Sequence, residues 1–142
     1  MKKLTSLLPL ILLALTAACA SGGGVRTTET AEQTIARRAV ERWGLLVEKN
    51  TEAAWEYLSP GYRGAHDREN YLTQMSNRPV TWTKAEYKTM ECDEAQTSCF
   101  VRLMVTFRVR SSLGMVGEVE AQQEIGERWI NLEGTWYVLP TD

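Results

Sequence analysis

Apolar residues keep a helical spacing in the first half of the chain and a spacing of two in the second half. Over residues 35–47 they recur on one face, which predicts a first helix that ends near Lys49. Thr30 and Gln33 stand at the spacing of a capping box, so the helix is predicted to begin there. Its predicted inward face consists of Ile35, Ala39, Trp43, Leu46 and Val47.

Two shorter helices are predicted after the first. Thr51 can cap a helix over residues 52–58, and Pro60 is predicted to end it because the residue before a proline avoids helical geometry. Asp67 can cap a third helix that runs to Met75. The predicted inward residues of these helices are Trp55, Leu58, Tyr71, Leu72 and Met75.

The second half of the chain predicts an antiparallel sheet. Residues 101–109 and 119–125 alternate apolar and polar side chains, which is typical of half-buried strands. The basic outer face of the first strand is expected to lie beside the acidic outer face of the second. Residues 128–131 and 135–139 are predicted to form a last hairpin. The charged outer residues are Arg102, Arg108, Glu118 and Glu120.

Cys92 and Cys99 flank a polar turn between two strand-like runs, and we predict a disulfide that closes this hairpin. Their spacing is not that of a redox-active CxxC pair. A strict strand ladder from this pair would bury three charged residues, Lys84, Glu86 and Lys88. Because burial of unpaired charge is costly, either a β-bulge turns these side chains outward or they line a wet cavity. The bulge is the favoured interpretation.

The first residues of the chain have the pattern of an export signal. Lys2 and Lys3 precede an apolar stretch over residues 7–15, which is shorter than the roughly 20 residues that a membrane-spanning helix needs. The sequence LTAAC over residues 15–19 resembles a lipobox, which predicts cleavage before Cys19 and acylation of that cysteine. Ordinary cleavage after Ala20 is the alternative.

These features divide the chain into three parts. Residues 1–18 are predicted to be a lipoprotein signal peptide, and residues 19–29 are predicted to form the lipidated cysteine and a glycine-rich tether. Residues 30–142 are predicted to form one domain. Ala20, rather than an aspartate, follows the cysteine, so we expect the periplasmic face of the outer membrane if the source is Gram-negative.

Composition narrows the classes of function. The 142 residues carry 16 Lys and Arg against 18 Asp and Glu, a formal net charge of −2 without a basic stripe, so nucleic acid is not an expected partner. One histidine and three cysteines are too few for the usual zinc-site spacings, so no metal and no cofactor is expected. The sequence shows no phosphate-binding glycine loop, nucleophile elbow or HExxH motif.

Two segments resemble nuclear-transport-factor-two-like domains. They are LVEKNTEAAWEYLSPGYR over residues 46–63 and the ending ERW…EGTWYV over residues 127–138. The resemblance spans about residues 30–140 and implies an α+β fold, in which N-terminal helices pack on a curved antiparallel sheet that forms a cone with a cavity. The family includes ketosteroid isomerases, polyketide cyclases and dehydratases, and many non-catalytic members. The acid–base motifs of its enzymes have no residue-by-residue match here.

Candidate site residues fall into three groups. His66 beside Asp67 is a candidate general base, although the favoured interpretation is that Asp67 is a helix cap and His66 lies outside the helix. Glu86 is the second catalytic candidate, because a strict ladder would place it inside. The candidate cavity-lining residues are Tyr62, Trp82 and Tyr87. Residues 111–117 are expected to form a lid, a partner contact or a plain hairpin tip.

Three functions remain open at this point. The first is a lipid-anchored, non-catalytic domain that binds a small apolar ligand or an envelope protein partner. The second is an isomerase-, cyclase- or dehydratase-like enzyme that uses a carboxylate or histidine in the cone. The third is a structural envelope scaffold. The resemblance also implies a homodimer through the outer face of the sheet, which would here be polar.

Overall fold

A computed structural model describes residues 29–110 and 117–140. The predicted signal peptide, Cys19, the tether up to residue 28 and residues 111–116 of the predicted loop lie outside the described residues. The elements are α1 (Ala31–Val47), α2 (Thr51–Trp55), α3 (Pro60–Ala65), α4 (Arg68–Ser76), β1 (Val80–Cys92), β2 (Ser98–Arg110), β3 (Glu118–Leu132) and β4 (Thr135–Leu139). Within the described ranges, no helix is both long enough and apolar enough to cross a membrane.

The first helix, α1, begins at the predicted capping box. The Thr30 hydroxyl accepts a hydrogen bond from the Gln33 amide at 3.2 Å, and the Gln33 side chain accepts one from the Thr30 amide at 2.9 Å. The predicted inward face lies against the sheet, with Ile35 and Ala39 fully buried. The helix ends at Val47, close to the predicted end.

The second predicted helix is shorter than predicted, since α2 ends at Trp55, and an unpredicted helix, α3, follows it. Asn50, rather than Thr51, is the N-cap of α2. Ser59 and Pro60 do not end helical structure, because the Ser59 hydroxyl caps α3 and Pro60 occupies the first turn of that helix. Proline is tolerated there, since its fixed φ suits a helix and its missing N–H is not needed. The prediction of one helix over residues 52–58 is therefore wrong in its second half.

The last helix, α4, begins at the predicted cap. The Asp67 carboxylate accepts a hydrogen bond from the Asn70 amide at 2.7 Å. Tyr71 and Met75, which the helical spacing predicted to face inward, are partly buried against the core. This helix therefore covers one end of the core without being fully buried itself.

The four strands form one antiparallel sheet in the order β1-β2-β3-β4. β2 has the predicted alternation, and its inward residues Val101, Leu103 and Val105 are fully buried. β3 runs without interruption from Glu118 to Leu132, so the two segments predicted as separate strands form one. β4 pairs with the end of β3, as predicted for the last hairpin.

Two β-bulges in β1 turn its central residues over. The register shifts between Trp82 and Lys84 and again between Tyr87 and Thr89. Tyr87 therefore faces the core, whereas Lys84 and Glu86 face outward and form an ion pair with 3.2 Å between Nζ and Oε2. The predicted bulge is confirmed as two bulges, which keep three charged side chains out of the core.

The predicted disulfide is present. Cys92 and Cys99 pair across the end of the β1–β2 hairpin, with an S–S distance of 2.04 Å. Cys99 is 1% exposed and belongs to the core, whereas Cys92 is exposed. The bridge therefore ties the edge strand β1 to a buried position of the sheet.

Candidate functional site

A cavity of about 430 Å³ lies between the helices and the inner face of the sheet. Helices α1, α3 and α4 supply one side of it, and strands β1, β2 and β3 supply the other. Most of its lining side chains are apolar or aromatic. They include Trp43, Leu46, Met75, Trp82, Phe107 and Ile125.

A buried ion pair lies at this cavity. Arg42 on α1 and Glu127 on β3 are each 8% exposed, and Nη1 of the arginine lies 2.5 Å from Oε1 of the glutamate. The indole of Trp43 donates to the same oxygen at 2.8 Å, and the indole of Trp129 donates to Oε2 at 3.0 Å. Glu127 thus accepts three hydrogen bonds, which offset the cost of removing its carboxylate from water.

Aromatic rings form two walls. Trp43 and Trp82 meet edge to face with 5.3 Å between their ring centroids. On the helical side, Tyr62 and Tyr71 both pack on Trp55, with centroid distances of 6.3 and 4.9 Å. These contacts hold the rings through their neighbours, so the apolar walls do not depend on flexible aliphatic chains alone.

Two buried polar atoms at the cavity have no hydrogen-bond partner in the described part of the chain. They are Nε of Arg42 and the hydroxyl of Tyr71, and both residues line the cavity. A buried polar atom without a partner costs about 1–3 kcal/mol.

The structure brings two of the three predicted lining residues to the cavity. Tyr62 and Trp82 line it. Tyr87 also faces inward but lies outside the lining, and its hydroxyl lies near the Glu32 carboxylate on α1. Burial, together with the negative charge of Glu32, raises the pKa of Tyr87. Tyr87 therefore packs against the core and does not line the cavity.

The two catalytic candidates are not part of the cavity. His66 is exposed at the end of α3, where its ring stacks on Tyr62 with 3.8 Å between centroids and its Nδ1 lies 2.9 Å from the Tyr62 carbonyl. Asp67 caps α4, as the plainer interpretation of this pair predicted. Glu86 faces outward and its side chain is 41% exposed. Neither residue is among those that line the cavity, although His66 lies behind the lining residue Tyr62.

Sequence analysis missed the ion pair, although the sequence contains a signal for it. Ile125, Glu127 and Trp129 are two residues apart in sequence. In an uninterrupted strand they lie on the same face, so Glu127 points inward with the other two. Arg42 falls on the apolar face of α1, because it lies at helical spacing from Ala39 and Leu46. Opposite charges at inward positions of two elements indicate a buried pair, but only the fold shows that they meet.

The arrangement is suited to holding an apolar molecule. Within the described ranges, Glu127 is the one carboxylate of the lining, and no group of three or more His, Cys, Asp or Glu side chains is placed to hold a metal ion. The cavity volume lies within the range of about 300–1,000 Å³ that is usual for small-molecule sites. The chemistry available inside is apolar contact, aromatic stacking and contact with the polar side chains of the lining.

No protein-family model matches the sequence, and no curated protein matches it. Solved structures do match. The Chlamydomonas reinhardtii CamKII hub homology domain is 14% identical with a TM-score of 0.53, over 78% of this chain and 94% of that one. A scytalone dehydratase-like protein from Novosphingobium aromaticivorans is 15% identical with a TM-score of 0.52, over 75% of this chain and 78% of that one.

A SEC-C motif containing protein from Rhodopseudomonas palustris is similar as well, at 14% identity with a TM-score of 0.51, over 78% of this chain and 85% of that one. At these identities the likeness concerns the fold alone. The N-terminal helices and the four-stranded antiparallel sheet match the nuclear-transport-factor-two-like α+β fold.

Proposed function

We propose that this chain is a lipid-anchored binding protein that holds a small apolar ligand in the cavity and catalyses no reaction on it. The observation that carries the proposal is the cavity of about 430 Å³ with its aromatic and aliphatic walls. In this proposal the cavity is the open end of a cone formed by the helices and the sheet. Apolar burial supplies the affinity, at about 25 cal/mol per Å² removed from water.

The state of Glu127 favours binding over catalysis. A general base needs an oxygen that is free to take a proton from the substrate. Three of the roughly four acceptor sites of the Glu127 carboxylate are occupied, by Arg42 and Trp43 on one oxygen and by Trp129 on the other. The carboxylate therefore serves to neutralise Arg42 and to position the two indoles.

A cavity-filling substitution tests the binding proposal. Ile125→Trp places a larger side chain in the lining, whereas Glu124→Trp adds the same ring on the outer face of the same strand. N-phenyl-1-naphthylamine, a neutral apolar probe, should gain fluorescence with the unmodified chain and with Glu124→Trp, and should lose most of this gain with Ile125→Trp. Equal gains for the two variants would place the probe elsewhere and contradict the proposal.

A second function is an acid–base enzyme of the isomerase, cyclase or dehydratase type. The observation that favours it is the presence of the Glu127 carboxylate in the lining. The two functions differ in the fate of the ligand, since a binding protein returns it unchanged. Mass spectrometry of a ligand recovered from the purified chain after incubation distinguishes them, and turnover that Glu127→Gln abolishes would establish the enzyme.

The lipobox supports anchoring through acyl chains on Cys19, and the glycine-rich tether fits a domain held at a membrane surface. Anchoring would raise the local concentration of the binding site at the periplasmic face of the outer membrane. Cys19→Ala should abolish incorporation of labelled palmitate and release the protein from the membrane fraction. Retention of Cys19→Ala in the outer membrane would contradict the anchor.

A further inference from the structure

The charge at the cavity differs from the charge of the chain. The chain carries a formal net charge of −2. The described lining contains three arginines, Arg42, Arg78 and Arg128, against the single carboxylate of Glu127. Because the buried pair neutralises Arg42, the excess positive charge belongs to the other two arginines. An acidic protein with a positively charged cavity discriminates between ligands by their charge.

Arg78 is the arginine best placed to meet a ligand. It lies between α4 and β1, it is exposed, and its guanidinium carbon lies 5.4 Å from the centroid of the Trp82 ring. No carboxylate pairs with it among residues 29–110 and 117–140. Arg128, in contrast, donates a hydrogen bond to Ser98 at 3.4 Å. The arginines that do have a carboxylate partner are Arg37, Arg42, Arg63, Arg68, Arg102 and Arg108.

The cavity thus combines aromatic and aliphatic walls with a cation that has no carboxylate partner among the described residues. Trp82 links the two, because it both lines the cavity and lies under the Arg78 guanidinium. A molecule seated against this ring would place one end within reach of Arg78. A guanidinium can bind a planar carboxylate through two parallel hydrogen bonds, which gives direction as well as strength.

We infer that the ligand is a small apolar carboxylic acid. Its hydrophobic body packs between the aromatic walls, and its carboxylate binds the guanidinium of Arg78 at the mouth of the cavity. This inference rests on the proposed function. It specifies that the apolar ligand of that proposal also carries a carboxylate.

Three probes of nearly equal shape test the inference: 2-naphthaleneacetate, its neutral amide 2-naphthaleneacetamide, and 2-(2-naphthyl)ethylamine, a cation. The complete chain in lipid nanodiscs is titrated calorimetrically with each probe, with empty nanodiscs as the reference. Hydrogen bonds to charged groups are strong enough that the acid should bind about 10- to 100-fold more tightly than the amide. This preference should fall as salt is added.

Arg78→Gln should reduce the preference for the acid over the amide to near unity. The matched control is Arg110→Gln, which removes an exposed arginine from β2 that does not line the cavity and should keep the preference. The melting temperature of each variant shows whether it is folded.

The outcomes separate the two proposals. If the amide binds as well as the acid, if the cation binds best, or if Arg78→Gln keeps the preference, the acid inference is overturned and the apolar-binding function stands. If none of the three probes binds to the folded chain, the proposed function fails together with the inference.

Discussion

Arg42 and Glu127 pair beneath the helices, whereas Arg102 and Glu124 pair on the outer face of the same sheet. The inner side chains are 9% and 8% exposed, and the outer ones are 40% and 51% exposed. The inner carboxylate also accepts hydrogen bonds from two indoles, while the outer arginine lies between two glutamates, Glu91 and Glu124. The arginine–glutamate pair on the inner face is therefore shielded from water, whereas the pair on the outer face is exposed to it.

The difference shows which charges the fold depends on. An exposed pair contributes about 0–1 kcal/mol, because water screens it and solvates either partner when the other is lost. A buried pair is costly to break, because the remaining charge stays out of water without compensation. The outer pairs thus mark which strands are neighbours, and the inner pair holds α1 to β3 at the cavity.

The largest effect is expected from Arg42→Met. This change leaves the Glu127 carboxylate buried without its cation, and the free energy of unfolding should fall by about 3–5 kcal/mol. The double variant Arg42→Met with Glu127→Leu should recover most of this loss, since no buried charge remains. Urea denaturation checks both values, and an Arg42→Met variant as stable as the original chain would contradict the account of the inner pair.

Loss of the disulfide is expected to reduce stability by an amount between the losses for the inner and the outer ion pair. By the chain-entropy relation, closure of the short loop between Cys92 and Cys99 contributes about 2.5 kcal/mol. Cys92→Ser should therefore destabilise the chain less than Arg42→Met and more than any change to an outer pair. The melting temperatures of the variants show whether their stabilities follow this order. Unchanged melting, in a chain shown by mass spectrometry to form the bridge, would contradict the structural role of this disulfide.

Removal of the outer ion pair should hardly change the stability of the chain. Arg102→Met removes its ion pairs with Glu91 and Glu124 but buries no charge, so the free energy of unfolding should change by about 0–1 kcal/mol. Urea denaturation under the same conditions makes this variant the matched control for Arg42→Met. If Arg102→Met lost as much unfolding free energy as Arg42→Met, the account that only the inner pair is costly to break would be contradicted.

The smallest effect concerns an exposed charge in the turn between β1 and β2. Hydrogen bonds from the Thr97 side chain and from nearby backbone amides lower the pKa of Asp93 below its ordinary value of 3.8. The stabilisation is therefore present above that value and is lost as the pH falls through the folded pKa. Asp93→Asn should show a smaller loss of thermal stability on acidification than the original chain, and an identical acid profile would contradict this role.

The sequence predicted the parts of the fold that local pattern controls. The capping box at Thr30, the alternation of β2 and the hairpin closed by Cys92 and Cys99 depend on neighbours in the chain, and the structure confirms each. The bulges in β1 were predictable as well, because a strict ladder would have buried three charged residues. The helix α3 was missed, because the rule that proline ends a helix also fits a proline that begins one.

The candidate site was predicted only in part, for a physical reason. Tyr62 and Trp82 were named because aromatic residues commonly line cavities, and both do. The pattern does not identify Glu127 as a candidate site residue, because burial of a charged side chain is unfavourable unless a partner is known. That partner, Arg42, is separated from it by 85 positions, and only the packing of α1 on the sheet brings the two together.

The most direct test of the central claim uses the tryptophan indoles. Trp43 and Trp82 line the cavity, whereas Trp136 is buried elsewhere in the core. In a ¹H–¹⁵N spectrum with the indole signals assigned by Trp→Phe variants, 2-naphthaleneacetate should shift the signals of Trp43 and Trp82 and leave that of Trp136 in place. A saturating titration that leaves Trp43 and Trp82 unmoved would contradict the claim that the cavity is the binding site.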